Sequence, residues 1–378
     1  MSEYQYYEFR AIDRPLSQAE QKELRALSSR ATITAARFVN HYDWGDFRGD
    51  PDGLMERYFD LFLYVASWGQ RRLSMRLPRS LVDPVALKPF VTGDDGVAVR
   101  RAAGNLIVDL TLHENETEDS IDGDGWLDTL ASLRGDILEG DLRLFYLGWL
   151  MAVQNDNVPD DATEPLPGIG PLKPPLKMFA EFFCIDEHLV AAAAESNQTL
   201  AAGELPRAAI VKIIDSFEAR EKSAYLLRAY EGDPHLRAEL RRRCLSRVAS
   251  STQDAQPRRS AGELRAAAAR LAERRLRAEE KRKQDEERRR KQAEERARDI
   301  RMKALSQRGA AAWPDVESLI SVRNNVGYDQ ATVMLCDLRE LALRQGTDDE
   351  FHHRLTELRA RHKSKQRFIE RLAAAGLV

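Results

Sequence analysis

A run of charge without a single apolar side chain, Glu279–Gln292 (EEKRKQDEERRRKQ), constrains this chain more than any other stretch. It has nothing to bury, so it can be neither a core helix nor a strand of a packed sheet. It lies inside Gly262–Ser306, which holds no proline, one glycine at its first position and one β-branched residue, Ile300. Intrinsic propensity across that span favours helix. Six acid-to-base pairs four residues apart reinforce it: Glu273/Arg277, Glu279/Lys283, Asp285/Arg289, Glu286/Arg290, Glu287/Lys291 and Glu294/Arg298. Each such pair contributes about 0.2–0.5 kcal/mol, and the order of acid before base is the favourable one. At 1.5 Å per residue the helix would span roughly 65 Å. A coiled coil is the competing reading, because Leu264, Leu271 and Ala278 recur every seven residues. The same register then meets Asp285, Gln292 and Asp299. A seam that lapses for three heptads does not sustain pairing, so a single charged helix is expected.

The net charge of −3 hides a sharp asymmetry. Arg258–Arg308 carries 19 Lys/Arg against 10 Asp/Glu, a net of +9, whereas the remaining 39 basic and 51 acidic side chains give −12. A basic rod is therefore joined to an acidic body. The 378 residues allow two or three domains, and the 250 that precede the rod suffice for a real core. Cys184, Cys244 and Cys336 are far apart, which points to neither a zinc site nor a disulfide framework and fits a reducing cytoplasm. MSEYQYYEF lacks the basic and apolar regions of a signal peptide. The longest apolar runs, Leu61–Trp68 and Leu144–Val153, are too short to span a bilayer, so no membrane partner is expected.

Along the chain, Tyr4–Ile12 alternates as a strand, and Ser17 with Glu20 forms a capping box that opens a helix to about Ser29. Ala31–Tyr42 reads as a second extended segment. Asp50 and Pro51 open a helix that runs, apolar nearly all round, to about Trp68. Arg71–Leu77 is a strand, Pro84–Phe90 a helical turn, and Val97–Arg101 with Asn105–Leu112 a hairpin. Residues 1–154 thus form an α+β domain, a small sheet with packed helices, ending in helices at Trp126–Glu139 and Asp141–Gln154. Residues 155–175 hold six prolines and four acids and read as a linker or extended strap. An all-α region follows at 176–250, then the charged helix within 251–308. A C-terminal helical-hairpin module fills 313–378, with Gly346 and Gly376 ending helices.

The chemistry in the sequence is sparse. No P-loop, dinucleotide-binding fingerprint, GxSxG or HExxH is present, which lowers the case for an enzyme without excluding a dispersed catalytic group. Seven histidines are scattered, and adjacent His352 and His353 would point about 100° apart on a helix. The acidic stretch His113–Asp128 contains DGDG, but an EF-hand register puts Ser120 at position 1 and Ala131 at position 12, where Glu is required. No cofactor or metal is indicated. The most suggestive binding loop is Asn40, His41, Tyr42, Asp43, Trp44, Gly45, Asp46 and Phe47, between a strand and a buried segment. In the alternative reading Trp44 and Phe47 tuck under the sheet edge while the acids cap turns. If the chain were an enzyme, His41, Asp43 and Asp46 would be the place to look. Nucleic acid has two candidate surfaces. One is the tail set Arg354, Arg359, Arg361, Lys363, Lys365, Arg367 and Arg371, joined by His362. The other is the rod, whose bases are interleaved with acids as in any solvated helix.

MSEYQYYEFRAIDRPLS, FVNHYDWGDFRGDP, LMERYFDLFLYVASWGQRRLSMRLP and DLRLFYLGWLMAVQ resemble a widespread, uncharacterised bacterial protein family over most of the first 250 residues. The C-terminal run from YDQATVMLCDLRE to RFIERLAAAGL is similar to the tail helices of some bacterial SWIM zinc-finger proteins. The CxC…CxH pattern of those zinc fingers is absent here, so the resemblance implies a shared docking module and neither zinc nor DNA binding. The expected function is non-enzymatic: an interaction or scaffold protein with a protein partner, its rod spacing body from docking module. Nucleic-acid association through the basic tail is the alternative, followed by an enzyme of unrecognised type.

Overall fold

A computed structural model describes residues 4–93, 95–113, 122–195, 206–249 and 258–377. The chain divides into two compact units, Met1–Arg275 and Leu276–Val378. The first opens with strand β1 (Gln5–Arg10), helix α1 (Gln18–Leu27), strands β2 (Thr32–Ile33) and β3 (Arg37–Tyr42), and helix α2 (Pro51–Arg57). Strands β4 (Leu61–Ala66) and β5 (Arg71–Pro78), the short helix α3 (Pro84–Leu87), and a hairpin of β6 (Gly96–Ala102) and β7 (Asn105–Leu112) follow. All seven strands form one antiparallel sheet in the order β2-β3-β1-β4-β5-β7-β6. The local signals act as the sequence predicts. Ser17 and Glu20 cap α1 reciprocally, and the Asp50 carboxylate accepts the Asp52 N–H ahead of Pro51.

One predicted helix is wrong. α2 stops at Arg57, and LFLYVA, read as the middle of a helix running to Trp68, is β4. β4 sits between β1 and β5, and all six of its residues are buried. Leu61, Leu63 and Val65 enter one apolar cluster, and Phe62, Tyr64 and Ala66 the other. A strand covered on both faces is apolar at every position, so its pattern matches that of a buried helix. The 31–42 segment likewise breaks at 34–36 into two strands rather than one.

The two sheet faces are covered by different layers. Helices α4 (Trp126–Leu138), α5 (Arg143–Gln154), α6 (Pro174–Phe182) and α7 (Glu187–Ala194) supply Leu130, Phe145, Trp149, Phe179, Phe182 and Leu189 to the larger core. On the opposite face Leu24 of α1 and Leu54 and Met55 of α2 close over Phe9, Phe38 and Phe62. Fully burying side chains of this size contributes about 1.5–3 kcal/mol each. Helices α8 (Arg207–Asp215), α9 (Ala219–Tyr230) and α10 (Leu236–Ala249) come next, and α8 and α9 bury none of their own side chains.

α11 runs unbroken from Ala261 to Arg308, 48 residues and roughly 70 Å. Its start belongs to the first unit. Ser260 and Glu263 cap it reciprocally, Ala261 and Leu264 are fully buried, and Arg265 donates to the Val153 and Val158 carbonyls. From Glu273 to Arg301 every side chain but that of Asp285 is exposed. Two of the predicted pairs form, Glu279/Lys283 at 3.3 Å and Glu287/Lys291 at 2.8 Å. Three are replaced: Asp285 takes Arg288, Arg290 takes Glu294, and Arg298 meets Glu340. Neighbouring cations three and four residues away compete for one carboxylate, so strict spacing of four overstates the pairing.

In the second unit Met302 and Leu305 of α11 are buried. Helices α12 (Ala312–Ser321), α13 (Asn325–Gln345), α14 (Asp348–Arg361) and α15 (Gln366–Ala374) close a core of Leu305, Val316, Ile320, Leu335, Leu358 and Phe368. Gly346 ends α13 in the left-handed conformation, φ 70°, which its missing Cβ permits at little cost.

Candidate functional site

Tyr6, Glu8 and Arg10 alternate along β1 onto the face that carries α4–α7, while Tyr7 and Phe9 point the other way. Antiparallel pairing sets Tyr6 against His41, Glu8 against Val39 and Arg10 against Arg37. Toward this end of the sheet the helix layer thins, for Val39 and Arg37 are only half-buried and His41 is exposed. A cleft of about 430 Å³ opens there, lined by Tyr4, Tyr6, Thr32, Arg37, Val39 and His41 on the sheet. Asp122 and Asp124, just before α4, form the opposite wall.

Beneath the cleft lies Glu8, a carboxylate with no solvent exposure. It accepts from Tyr6 Oη at 2.9 Å and Arg10 Nε at 2.8 Å, and Arg37 Nε lies 2.8 Å away. Arg37 also reaches Asp124 at 3.3 Å, and Arg10 pairs with Asp128. Tyr4 Oη donates to Asp122 at 3.0 Å. Burial, followed by the Asp122 contacts, pushes the Tyr4 phenol up to about 12. The Tyr6 phenol is pushed higher still, first by burial and then by the Glu8 charge and hydrogen bond. Both therefore remain neutral donors and cannot act as bases near neutral pH. Both carboxylates of the wall are thus already met from the sheet side, Asp122 by Tyr4 and Asp124 by Arg37.

The predicted loop divides into buried and exposed members. Asn40 is 3% exposed, and its amide donates to Ser28 Oγ at 2.9 Å and Tyr42 Oη at 2.6 Å. Phe47, 9% exposed, packs against Tyr7, Phe9 and Phe38. Asp46 accepts from Gln5 Nε2 at 2.9 Å. Trp44, by contrast, is 73% exposed, and Asp43 is exposed beside it. Of this loop only His41 lines the cleft. The residues around it that sequence reasoning missed are Tyr4, Tyr6, Glu8 and Arg37, while Asp122 and Asp124 are the acids of the DGDG that was tested only for calcium. The one signal for Tyr4, Tyr6 and Glu8 is polarity at every second position of YQYYEFR, opposite Tyr7 and Phe9. Ser120, invoked in the calcium test, lies outside the described residues. Among the described residues no group of three or more His, Cys, Asp or Glu is placed to hold a metal ion.

The tail cations are partly engaged within their own unit. Arg354 pairs with Glu350 at 2.8 Å and lies over Trp313, Arg361 meets Glu317 at 2.7 Å, and Arg371 meets Asp329 at 2.6 Å. Lys365 Nζ donates to the Ile320 carbonyl at 3.1 Å. Arg359, Lys363 and Arg367 have no ion-pair partner among the described residues.

Fold and cleft define an α+β unit built on a seven-stranded antiparallel sheet, followed by a long charged helix and a small helical unit. No protein-family model, no curated protein and no solved structure matches the chain. No described helix is long and apolar enough to cross a membrane.

Proposed function

We propose that this is a non-enzymatic interaction protein in which α11 spaces an N-terminal body from a C-terminal helical docking module. The observation that carries the reading is the uninterrupted exposure of α11 between Glu273 and Arg301, apart from Asp285, flanked by turns that bury Leu264 at one end and Leu305 at the other. A helix that only needed to be soluble would not require both ends fixed in apolar cores. Folding such a length without packing it is consistent with selection for reach rather than for stability. The partner is a protein, engaged through the helical module and through the cleft beside Tyr4 and Tyr6. Small-angle X-ray scattering of the full chain tests the spacer role. Two separated masses are expected, and a compact particle would contradict it.

A further inference from the structure

Read along the sequence, the bases of α11 alternate with acids. Winding them at about 100° per residue sorts them onto different sides. Glu279, Glu280, Glu286, Glu287 and Glu294 fall within one side of the helix, together with Lys283, Arg290 and Lys291. The ion pairs Lys283–Glu279, Lys291–Glu287 and Arg290–Glu294 all form on that side. On the other side Arg282, Arg289 and Arg296 recur every seven residues, and Lys303 continues the row. A seven-residue repeat drifts only about 20° per step, so these four make one ladder with rungs about 10.5 Å apart. All four are exposed, and none has an ion-pair partner among the described residues. Four acids lie three or four residues from a ladder cation: Glu279, taken by Lys283 at 3.3 Å, Asp285, taken by Arg288 at 3.0 Å, Glu286 and Asp299. The ladder also avoids the packed side of its own unit, where Met302 and Leu305 are buried and Arg298 meets Glu340.

We infer that this ladder is a binding surface for the phosphate backbone of nucleic acid. This goes beyond the spacer role and uses different residues from the tail. The occupant follows from charge complementarity. Three guanidinium groups and one ammonium at a regular interval, without ion-pair partners among the described residues and in line over roughly 30 Å, match a linear polyanion with evenly spaced phosphates. A folded acidic protein would need a matching straight row of carboxylates. Backbone contact without base readout makes the binding independent of sequence.

The test uses the full chain, a labelled mixed-sequence DNA duplex of about 20 base pairs, an RNA single strand of like length and labelled polyglutamate, over a salt series. Four phosphate contacts give a log–log salt slope of about −3.6 on the duplex, a loss of roughly 150-fold between about 50 and 200 mM salt, and a shallower slope on the single strand. The variant Arg282→Gln/Arg289→Gln/Arg296→Gln should weaken duplex binding at least about tenfold and remove most of the slope. Glutamine keeps helix propensity, and unchanged far-ultraviolet circular dichroism verifies the fold. The comparison Lys283→Gln/Arg290→Gln/Lys291→Gln removes the same charge from the other side and should leave binding nearly intact. Equal losses in both variants, no duplex binding at low salt, or polyglutamate binding as tight as the duplex would each overturn the assignment. None of these results bears on the spacer role, which scattering tests separately.

Discussion

Glu164 and Arg259 hold each other through main chain and side chain at once. The Glu164 N–H donates to the Arg259 carbonyl at 2.8 Å, and the Arg259 N–H donates back to Glu164 Oε1 at 2.9 Å. Arg259 Nη2 reaches Oε2 at 3.0 Å, and Tyr146 Oη donates to the same oxygen at 2.6 Å. Glu164 is 2% exposed, so a buried carboxylate joins the proline-rich strap of residues 155–175 to the residues that launch α11. The long helix is rooted by this clasp as much as by its own cap.

Replacing Glu164 with alanine leaves Arg259 and Tyr146 without their acceptor. Breaking a buried ion pair from one side costs about 3–5 kcal/mol. Urea denaturation of Glu164→Ala should show a loss of that order, with faster amide exchange at residues 260–268. A change within about 0.5 kcal/mol would mean that the clasp is incidental.

Acid sensitivity should centre on Asp60, a buried carboxylate that accepts from the Ile12 and Asp13 N–H groups and from Arg76. Burial pushes this carboxyl up, but Arg134, the Asp13 N–H, Arg76 and the Ile12 N–H outweigh it and hold the group below the ordinary carboxylate range. Its contribution is then complete above the unfolded value of about 3.9 and is lost as pH falls through the lower folded value. Asp60→Asn should therefore destabilise by about 3 kcal/mol or more at neutral pH. That difference should shrink in acid below the unfolded value. Denaturation at several pH values checks this, and a pH-independent difference would refute it.

The loop at 40–47 mixes a structural anchor with a free aromatic. Phe47→Ala should cost about 3–5 kcal/mol, because it empties a site among Tyr7, Phe9 and Phe38. Trp44→Ala, at a position 73% exposed, should change stability by no more than about 0.5 kcal/mol. Thermal melts of the two variants separate these roles, and equal effects would contradict the assignment.

Gly327 in the first turn of α13 has no room for a side chain. A Cβ there would lie 2.6 Å from the Leu319 carbonyl oxygen, which is backbone and cannot swing aside. Its N–H donates to the Asn324 cap at 2.6 Å. Gly327→Ala should destabilise the C-terminal unit by about 1–3 kcal/mol despite alanine's higher helix propensity. A stabilised unit in calorimetry would show that α12 and α13 pack less closely than described.

Caps and punctuation were the legible part of this sequence. Ser17/Glu20, Asp50/Pro51, Gly346 and the spacing of Leu335, Leu338, Phe351 and Leu355 encode local events, and local events survive folding unchanged. β4 was illegible, because complete burial erases the alternation that marks a strand. Glu8 and Glu164 were equally hidden. Each looks like a surface acid until residues far along the chain, Arg37 and Arg259, close over it. The ladder of Arg282, Arg289 and Arg296 was written in the sequence, yet linear reading saw only alternation where a helix sorts charge by side.

Whether α11 holds itself straight is the question on which the rest depends, and a synthetic peptide of Gly262–Ser306 answers it most directly. Its circular dichroism at micromolar concentration should be strongly helical, independent of concentration, and weakened by salt as surface ion pairs are screened. A coil-like spectrum, or helicity that grows with concentration, would contradict a self-supporting helix.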